Sequence, residues 1–489
     1  MDEAIRPSMK KNDNSDNVTP GSLPARSGWV WLLIVAALLA LVIGLLRVGQ
    51  LKDTGASGTS LDNEKTRSSL EFSVERELPP RRPSISAPPL TAEEIVTGKV
   101  SQFGRSRREI ARGIGRRLEK EVPAEVEKFF DAIEKGQWEE IKAQWDALAK
   151  RSGQYEKSSH SEELDPFWPA VLDAYGAAEQ AHLWPAQKLL DYGNAILDSL
   201  RPGMVYVGGT DNGRWIPELL NQTSGAEPHI IVTQNAFADA RYLDFVNTLY
   251  QDRMTTLTSE DSQTAFQAYM TDAQKRLEHD QQFPDEAKQV RPGEDIRIVD
   301  GKVQVSGQIA VMSINERLLQ TLMQKNPGLS FAIQESFPLK GTYGDALPLG
   351  PLMELGARSD QNEFTAERAA QSLQYWQTAA QQQLADPEAI HSPETLKSYS
   401  HDATAAANLL AAHNFSGEAE QAYRVATELW PENPESVSGL ADLLANSGRD
   451  NEAKQLLQDF ARQHPNEQKD LERISASWRL LVSPQTPTR

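Results

Sequence analysis

Near the C-terminus the chain repeats itself at a spacing of 34 residues. Ala419, Tyr423, Ala426 and Pro431 return as Ala453, Leu457, Phe460 and Pro465, and Ala406, Ala407 and Leu410 return as Leu440, Ala441 and Leu444. A period of that length in small and apolar residues prescribes stacked helix pairs, because one helical hairpin cannot bury its own apolar face and must lean on the next.

Residues 29–46 form an uncharged run bracketed by Arg26 and Arg47. Eighteen helical residues span about 27 Å, close to the roughly 30 Å hydrocarbon core of a bilayer, and Trp29 and Trp31 suit an interface. The absence of a small-residue cleavage site favours an uncleaved anchor over a signal peptide. The expected layout is a disordered tail (1–27), a transmembrane helix (28–47), a flexible linker (48–92) that turns Pro-rich near its end, a helical region (93–200), an α/β domain (201–358) and helical repeats (363–482, with the 34-residue period over 400–468). Flanking charges are nearly balanced across the span, and the short tail favours a body in the periplasm, anchored in a bacterial inner membrane. Ala36, Ala40 and Gly44 form a small-residue stripe that permits a homodimer.

The chain carries a formal charge of −19, and residues 121–489 hold the whole acidic excess. Phosphate neutralisation needs the opposite sign, so nucleic acid is not an expected partner. There is no cysteine, which removes disulfides, thiolate metal sites and cysteine nucleophiles. Arg105, Arg108, Arg112 and Arg116 share one helical face opposite Phe103, Ile110, Ile114 and Leu118. That face suits either solvent or anionic lipid headgroups.

From Met204 the period changes. Met204–Val207 and His229–Thr233 read as buried strands, each followed by a helix, the pattern of a partly parallel sheet. A hairpin through Asp300-Gly301 follows, then a helix, a strand ending near Gln334, and a Gly/Pro-rich loop from Pro338 to Pro351. Gly208-Gly209-Thr210-Asp211-Asn212-Gly213-Arg214 connects the first strand to its helix, where open α/β sheets bind ligands. Gly208, Gly209, Asp211 and Arg214, with Asn235 on the same edge, are the candidate ligand-binding residues for a phosphorylated or sugar ligand. In the competing reading the glycines make a tight turn and Asp211 caps the helix while pairing with Arg214. Asp239, Arg241, Glu335 and Ser336 are placed near the same edge. The loop matches neither nucleotide-binding glycine pattern, and the chain has no His-Glu-x-x-His, Gly-x-Ser-x-Gly or Asp-x-Asp motif. No metal or cofactor is expected, catalytic residues are left unassigned, and the motifs lean away from an enzyme.

The 34-residue period, with Ala426-Thr-Glu-Leu-Trp-Pro-Glu-Asn-Pro434 following the first unit, resembles the tetratricopeptide repeat. In that family small residues at the helix crossings and a proline after the second helix permit close stacking, and the inter-helix turn carries the glycine that stands here at 448 and is replaced by Asn414 one repeat earlier; Ala403 and Val437 depart from the bulky aromatic which the family carries early in its first helix. The resemblance implies an α-solenoid that binds a protein partner. The whole layout resembles uncharacterised bacterial single-pass membrane-anchored repeat proteins, which implies an architecture and no activity. The expected fold class is α+β and multi-domain: a transmembrane helix, helical hairpins, a central α/β domain and a C-terminal tetratricopeptide-like solenoid. The expected function is a membrane-tethered scaffold, with a ligand-binding enzyme or sensor as the alternative.

Overall fold

The computed structural model describes residues 89–474, except 156–157, 226–227, 291–293, 300–301, 339, 360–361 and 473. Five helices come first: α1 (Ala92–Leu118), α2 (Ala124–Lys135), α3 (Trp138–Ala149), α4 (Trp168–Leu183) and α5 (Ala186–Ser199). Thr91 and Glu94 close a capping box at the start of α1, satisfying two of its orphan donors. Val96, Val100, Phe103, Arg107, Ala111 and Ile114 then form its buried stripe. Gly136, at φ 66°, takes the left-handed turn between α2 and α3.

A mixed domain follows: β1 (Val205–Gly208), α6 (Asp211–Gln222), β2 (Ile230–Thr233), α7 (Ala240–Tyr250), α8 (Ser259–Gln282), β3 (Asp295–Val299), β4 (Lys302–Ser306), α9 (Gln308–Lys325), β5 (Phe331–Ile333), α10 (Lys340–Tyr343), β6 (Leu347–Leu349) and β7 (Leu352–Leu355). The sheet order is β2-β1-β5-β7-β6; β1 lies parallel to β2 and β5, while β7 runs antiparallel to β5 and β6. Strands β3 and β4 form a separate antiparallel hairpin. Its expected Asp300-Gly301 turn lies outside the described residues.

Alternation along the strands divides the core in two. Tyr206, Ile231, Ala332 and Leu352 join a cluster built by the N-terminal helices and by part of the C-terminal ones. Val205, Val207, Ile230, Val232, Phe331, Ile333, Met353 and Leu355 join a second cluster with α7, α8, α9 and the C-terminal helices. Both faces of the central strands are therefore covered. Pro217 sits inside α6 and has no N–H to offer the carbonyl of Gly213 four residues earlier. The Tyr206 hydroxyl donates to that carbonyl from the neighbouring strand, so the vacancy in the helix ladder is filled by the sheet.

The C-terminal helices are α11 (Ala366–Ala385), α12 (Pro387–Ile390), α13 (Pro393–Ala412), α14 (Ser416–Leu429), α15 (Pro434–Asn446) and α16 (Asp450–Gln463). Ala407, Leu410, Ala419, Ala422, Tyr423, Ala426, Leu440, Ala441, Leu444 and Ala453 are all buried, as close helix crossing requires. Asn414 adopts φ 64° and Gly448 φ 75°. Asparagine is one of the few side chains that tolerates the left-handed turn, so the departure from glycine at Asn414 costs the motif little.

Several expectations need correction. Among the described residues no helix is long and apolar enough to cross a membrane. Even apolar α4 carries Asp173 and Glu179 within its 16 residues. The expected transmembrane segment, with its tail and most of its linker, lies outside the described residues. The fold class is accordingly corrected to a mostly helical chain with one small sheet and C-terminal helices, and the inner-membrane location with a periplasmic body does not stand. The Pro338–Pro351 loop contains α10 and β6, and β6 pairs with β7 across Gly350-Pro351. Pro348 masks β6 in the sequence, yet is tolerated there because β6 is an edge strand.

Candidate functional site

Strands β1, β2 and β5 point their carboxyl ends in one direction, so the segments beginning at Gly209, Gln234 and Gln334 meet at one edge. A Cβ on Gly208 would lie 2.8 Å from the Gly213 carbonyl oxygen, and one on Gly209 would lie 2.2 Å from the carbonyl oxygen of Gln334. A Cβ on Gly213 would lie 2.0 Å from the side-chain oxygen of Gln334. Gly208 and Gly209 thus let backbone segments approach closely, and Gly213 leaves a path for one neighbouring side chain.

Gln334 fills that path. Its Oε1 accepts from the backbone N–H of Gly209 and of Thr210, each at 3.1 Å, and from the Thr210 hydroxyl at 3.2 Å. These are the donors at the start of α6 that an anion would use. Gln334 Nε2 donates to Asp402 Oδ1 at 2.7 Å and to Thr210 Oγ1 at 3.0 Å. Tyr192 donates its hydroxyl to Asp402 Oδ2 at 3.0 Å. Asn212 reaches the Ser398 hydroxyl of α13 at 2.8 Å. Burial pushes the Asp402 carboxyl up to about 6, against the pull of the His401 cation and the hydrogen bonds from Gln334 and Tyr192.

His401 continues the network toward the repeats. Its Nε2 lies 2.6 Å from the Glu335 carbonyl oxygen, and its Nδ1 lies 3.1 Å from a carboxylate oxygen of Glu435 on α15. Burial opposes the charge, but Glu435, Asp402 and the carbonyl raise the imidazole to about 10. The ring therefore sits as a cation donating from both nitrogens. Glu335 is buried, with the Tyr343 hydroxyl donating to Oε2 at 2.6 Å and Asn408 Nδ2 at 3.4 Å from Oε1.

The candidate residues take up different positions. Asn235 is at the edge, donating to the Gly209 carbonyl at 2.6 Å and accepting from Ser336 at 3.0 Å. Thr210, rather than Asp211, caps α6. The Asp211 carboxyl is pushed up to about 6 by burial and by Glu179, with Arg214 pulling the other way. Arg214 turns from the loop into the protein, where it pairs with Asp173 and lies 3.7 Å from Glu218. Asp239 caps α7, and Arg241 reaches Asp165 at 3.3 Å, away from Gln334.

Beneath the loop lies a buried ionic quartet. Arg107 binds Asp173 at 3.2 Å, Glu218 at 2.6 Å and the amide oxygen of Gln222 at 2.5 Å. With Arg214 on the same two acids, two cations meet two anions and connect α1, α4 and α6. Burial, with Asp173 adding to it, raises the Glu218 carboxyl, while Arg107 and Arg214 lower it.

Three of the four expected lipid-facing arginines, Arg105, Arg108 and Arg112, are engaged with protein, and Arg116 is exposed. Arg108 pairs with Glu127 at 2.8 Å, Glu134 at 2.7 Å and Asp131, and Arg112 pairs with Glu127 and Glu109, each at 2.8 Å. Arg105 bonds the Ser101 carbonyl. These pairings give no support to a lipid contact. No group of three or more carboxylates and imidazoles able to hold a metal occurs among the described residues.

Sequence reasoning passed over Gln334, Asp402, Tyr192, His401 and Arg107. Arg107 had a signal, since it lies four residues from both Phe103 and Ala111 on the buried stripe. Gln334 had a weaker one, as the first polar residue after a buried strand.

Residues 400–474 match the family model of the tetratricopeptide repeat, so the C-terminal region carries that repeat. No curated protein and no solved structure matches the chain, and the resemblance to membrane-anchored repeat proteins gains no support.

Proposed function

We propose that this protein is a scaffold that holds a protein partner through its C-terminal repeats. The observation that carries the reading is the tetratricopeptide match over residues 400–474, on helices α13 to α16, whose crossings are alanine-rich. Stacked helix pairs offer side chains on a continuous surface and need no chemistry of their own. The alternative, a ligand loop at Gly208–Arg214, is less favoured because the N–H groups of Gly209 and Thr210 already have Gln334 as their acceptor.

Ala453 supplies the test. It is 5% exposed where α16 packs, and Ala453→Leu should overpack that site by about 1–3 kcal/mol. Cross-linking the full chain in cells, followed by affinity purification, should recover a partner with wild type and lose it with Ala453→Leu. Equal recovery from a variant with a lowered melting temperature would place the partner elsewhere on the molecule.

A further inference from the structure

At one end of the N-terminal helices, the start of α1, the turn between α2 and α3 and the close of α4 lie together. The Thr97 methyl group is 3.7 Å from where a Cβ on Gly136 would stand. Two residues beyond Gly136, Trp138 stacks on His182 with ring centroids 4.2 Å apart and planes 14° from parallel, and Tyr175 backs Trp138 from within at 6.1 Å. His182 and Leu183 close α4 and face solvent, Leu183 at 49% exposure. Glu139 and Glu140 follow Trp138 in the first turn of α3; both are exposed, and neither pairs with a cation among the described residues. This end therefore presents an imidazole ring and an aliphatic side chain beside two acids with no countercharge.

The chain enters at the same end. The described residues begin at Pro89, Leu90 is 66% exposed, and α1 starts at Ala92, about 8 Å of helix before Thr97. Directly upstream, outside the described residues, stand Pro79-Pro80-Arg81-Arg82-Pro83. The stretch from Arg82 to Pro89 covers about 22 Å as polyproline II, enough to fold back past the start of α1 and reach α3. With three residues per turn, Pro80 and Pro83 share one face of such a helix, and Arg81 and Arg82 take the other two. Prolines in this form dock on aromatic-lined surfaces, and the arginines carry the charge opposite to Glu139 and Glu140. We propose that Pro79–Pro83 docks in cis on this end, with Pro80 and Pro83 against His182 and Leu183 and with Arg81 and Arg82 on Glu139 and Glu140. A short tether holds the segment at an effective concentration of roughly millimolar, so contacts too weak to retain a separate molecule retain this one. The inference concerns where the N-terminal segment is held and does not rest on the scaffold reading.

Because the chain has no cysteine, an introduced pair reports the contact cleanly. In the full chain, Arg82→Cys with Glu140→Cys should close an internal disulfide under mild oxidation at least tenfold faster than Arg82→Cys with Asp146→Cys, whose second thiol lies about 9 Å farther along α3. Equal rates overturn the proposal, and so does a disulfide that forms between chains instead of within one. Trypsin supplies a second readout on the native N-terminal segment. Glu139→Lys combined with Glu140→Lys should speed cleavage of the Arg81–Arg82 bond at least fivefold at an unchanged melting temperature, and cleavage at the wild-type rate overturns the proposal. Should that variant melt early, the disulfide rates decide.

Discussion

Two buried polar clusters hold this molecule together, and they are built on opposite principles. The quartet of Arg107, Asp173, Arg214 and Glu218 is ionic, joins helices only, and balances its charges within itself. The cluster around Gln334, Asp402, Tyr192 and His401 is mostly amides, hydroxyls and one ion pair, and it joins the sheet to the repeats. A buried ion pair loses heavily when one member is removed, because the survivor remains charged in a poorly solvating interior. A hydrogen-bonded network loses less per member and admits substitutes. The first cluster is therefore expected to lose more stability per side chain removed than the second.

The comparison breaks most readily at Arg107. Arg107→Ala leaves two carboxylates against Arg214 alone and should cost about 3–5 kcal/mol, measured by urea unfolding; a loss under 1 kcal/mol would mean the quartet is not the joint described. Gln334→Ala strands the N–H groups of Gly209 and Thr210 and should cost about 2–4 kcal/mol. If inorganic phosphate restored the melting temperature of that variant, an anion would be shown to replace the amide. Tyr206→Phe removes the donor to the Gly213 carbonyl that Pro217 leaves bare, for an expected loss of about 1–3 kcal/mol; combining it with Pro217→Ala should recover part of that loss.

The gentlest test is pH. His401, raised from its ordinary 6.5 to about 10, contributes stability that is fully present below pH 6.5 and is lost as pH rises through about 10. Asp402, raised from 3.8 to about 6, acts in the same direction over its own lower window. Stability should therefore fall between pH 6.5 and 10 by at most about 1.4 kcal/mol per pH unit for His401 alone. His401→Gln should flatten that slope when melting temperatures are recorded across the window, whereas an unchanged slope would assign it to other groups.

The elements with strong local signals were legible in advance. Gly448 announced its turn, Met204–Val207 and His229–Thr233 were read as buried strands within a residue of β1 and β2, and the small residues of the repeat fell where helices cross. The Gly-rich loop was legible as a tight strand-to-helix connection at the sheet edge, but its occupant was not. Nothing local to Gly208–Arg214 announces a glutamine more than 100 residues away. The apolar run at 29–46 lies outside the described residues, and Arg108 and Arg112 of the basic face of α1 found acids on α2, a partner that periodicity alone cannot assign.

Periodicity and turn chemistry act over a few residues, so the amino-acid order by itself determined the helix pairs, the parallel strand–helix unit and the small residues where helices cross. Pairing acts between distant segments and depends on which surfaces meet. Only the tertiary structure decided that Arg214 turns inward to Asp173, that Gln334 accepts from the N–H groups of Gly209 and Thr210 after β1, and that His401 of the first repeat bonds the chain as it leaves β5. The physical reason is that a buried donor must find an acceptor wherever the fold brings one, and that choice is made in space, after the local structure is already in place.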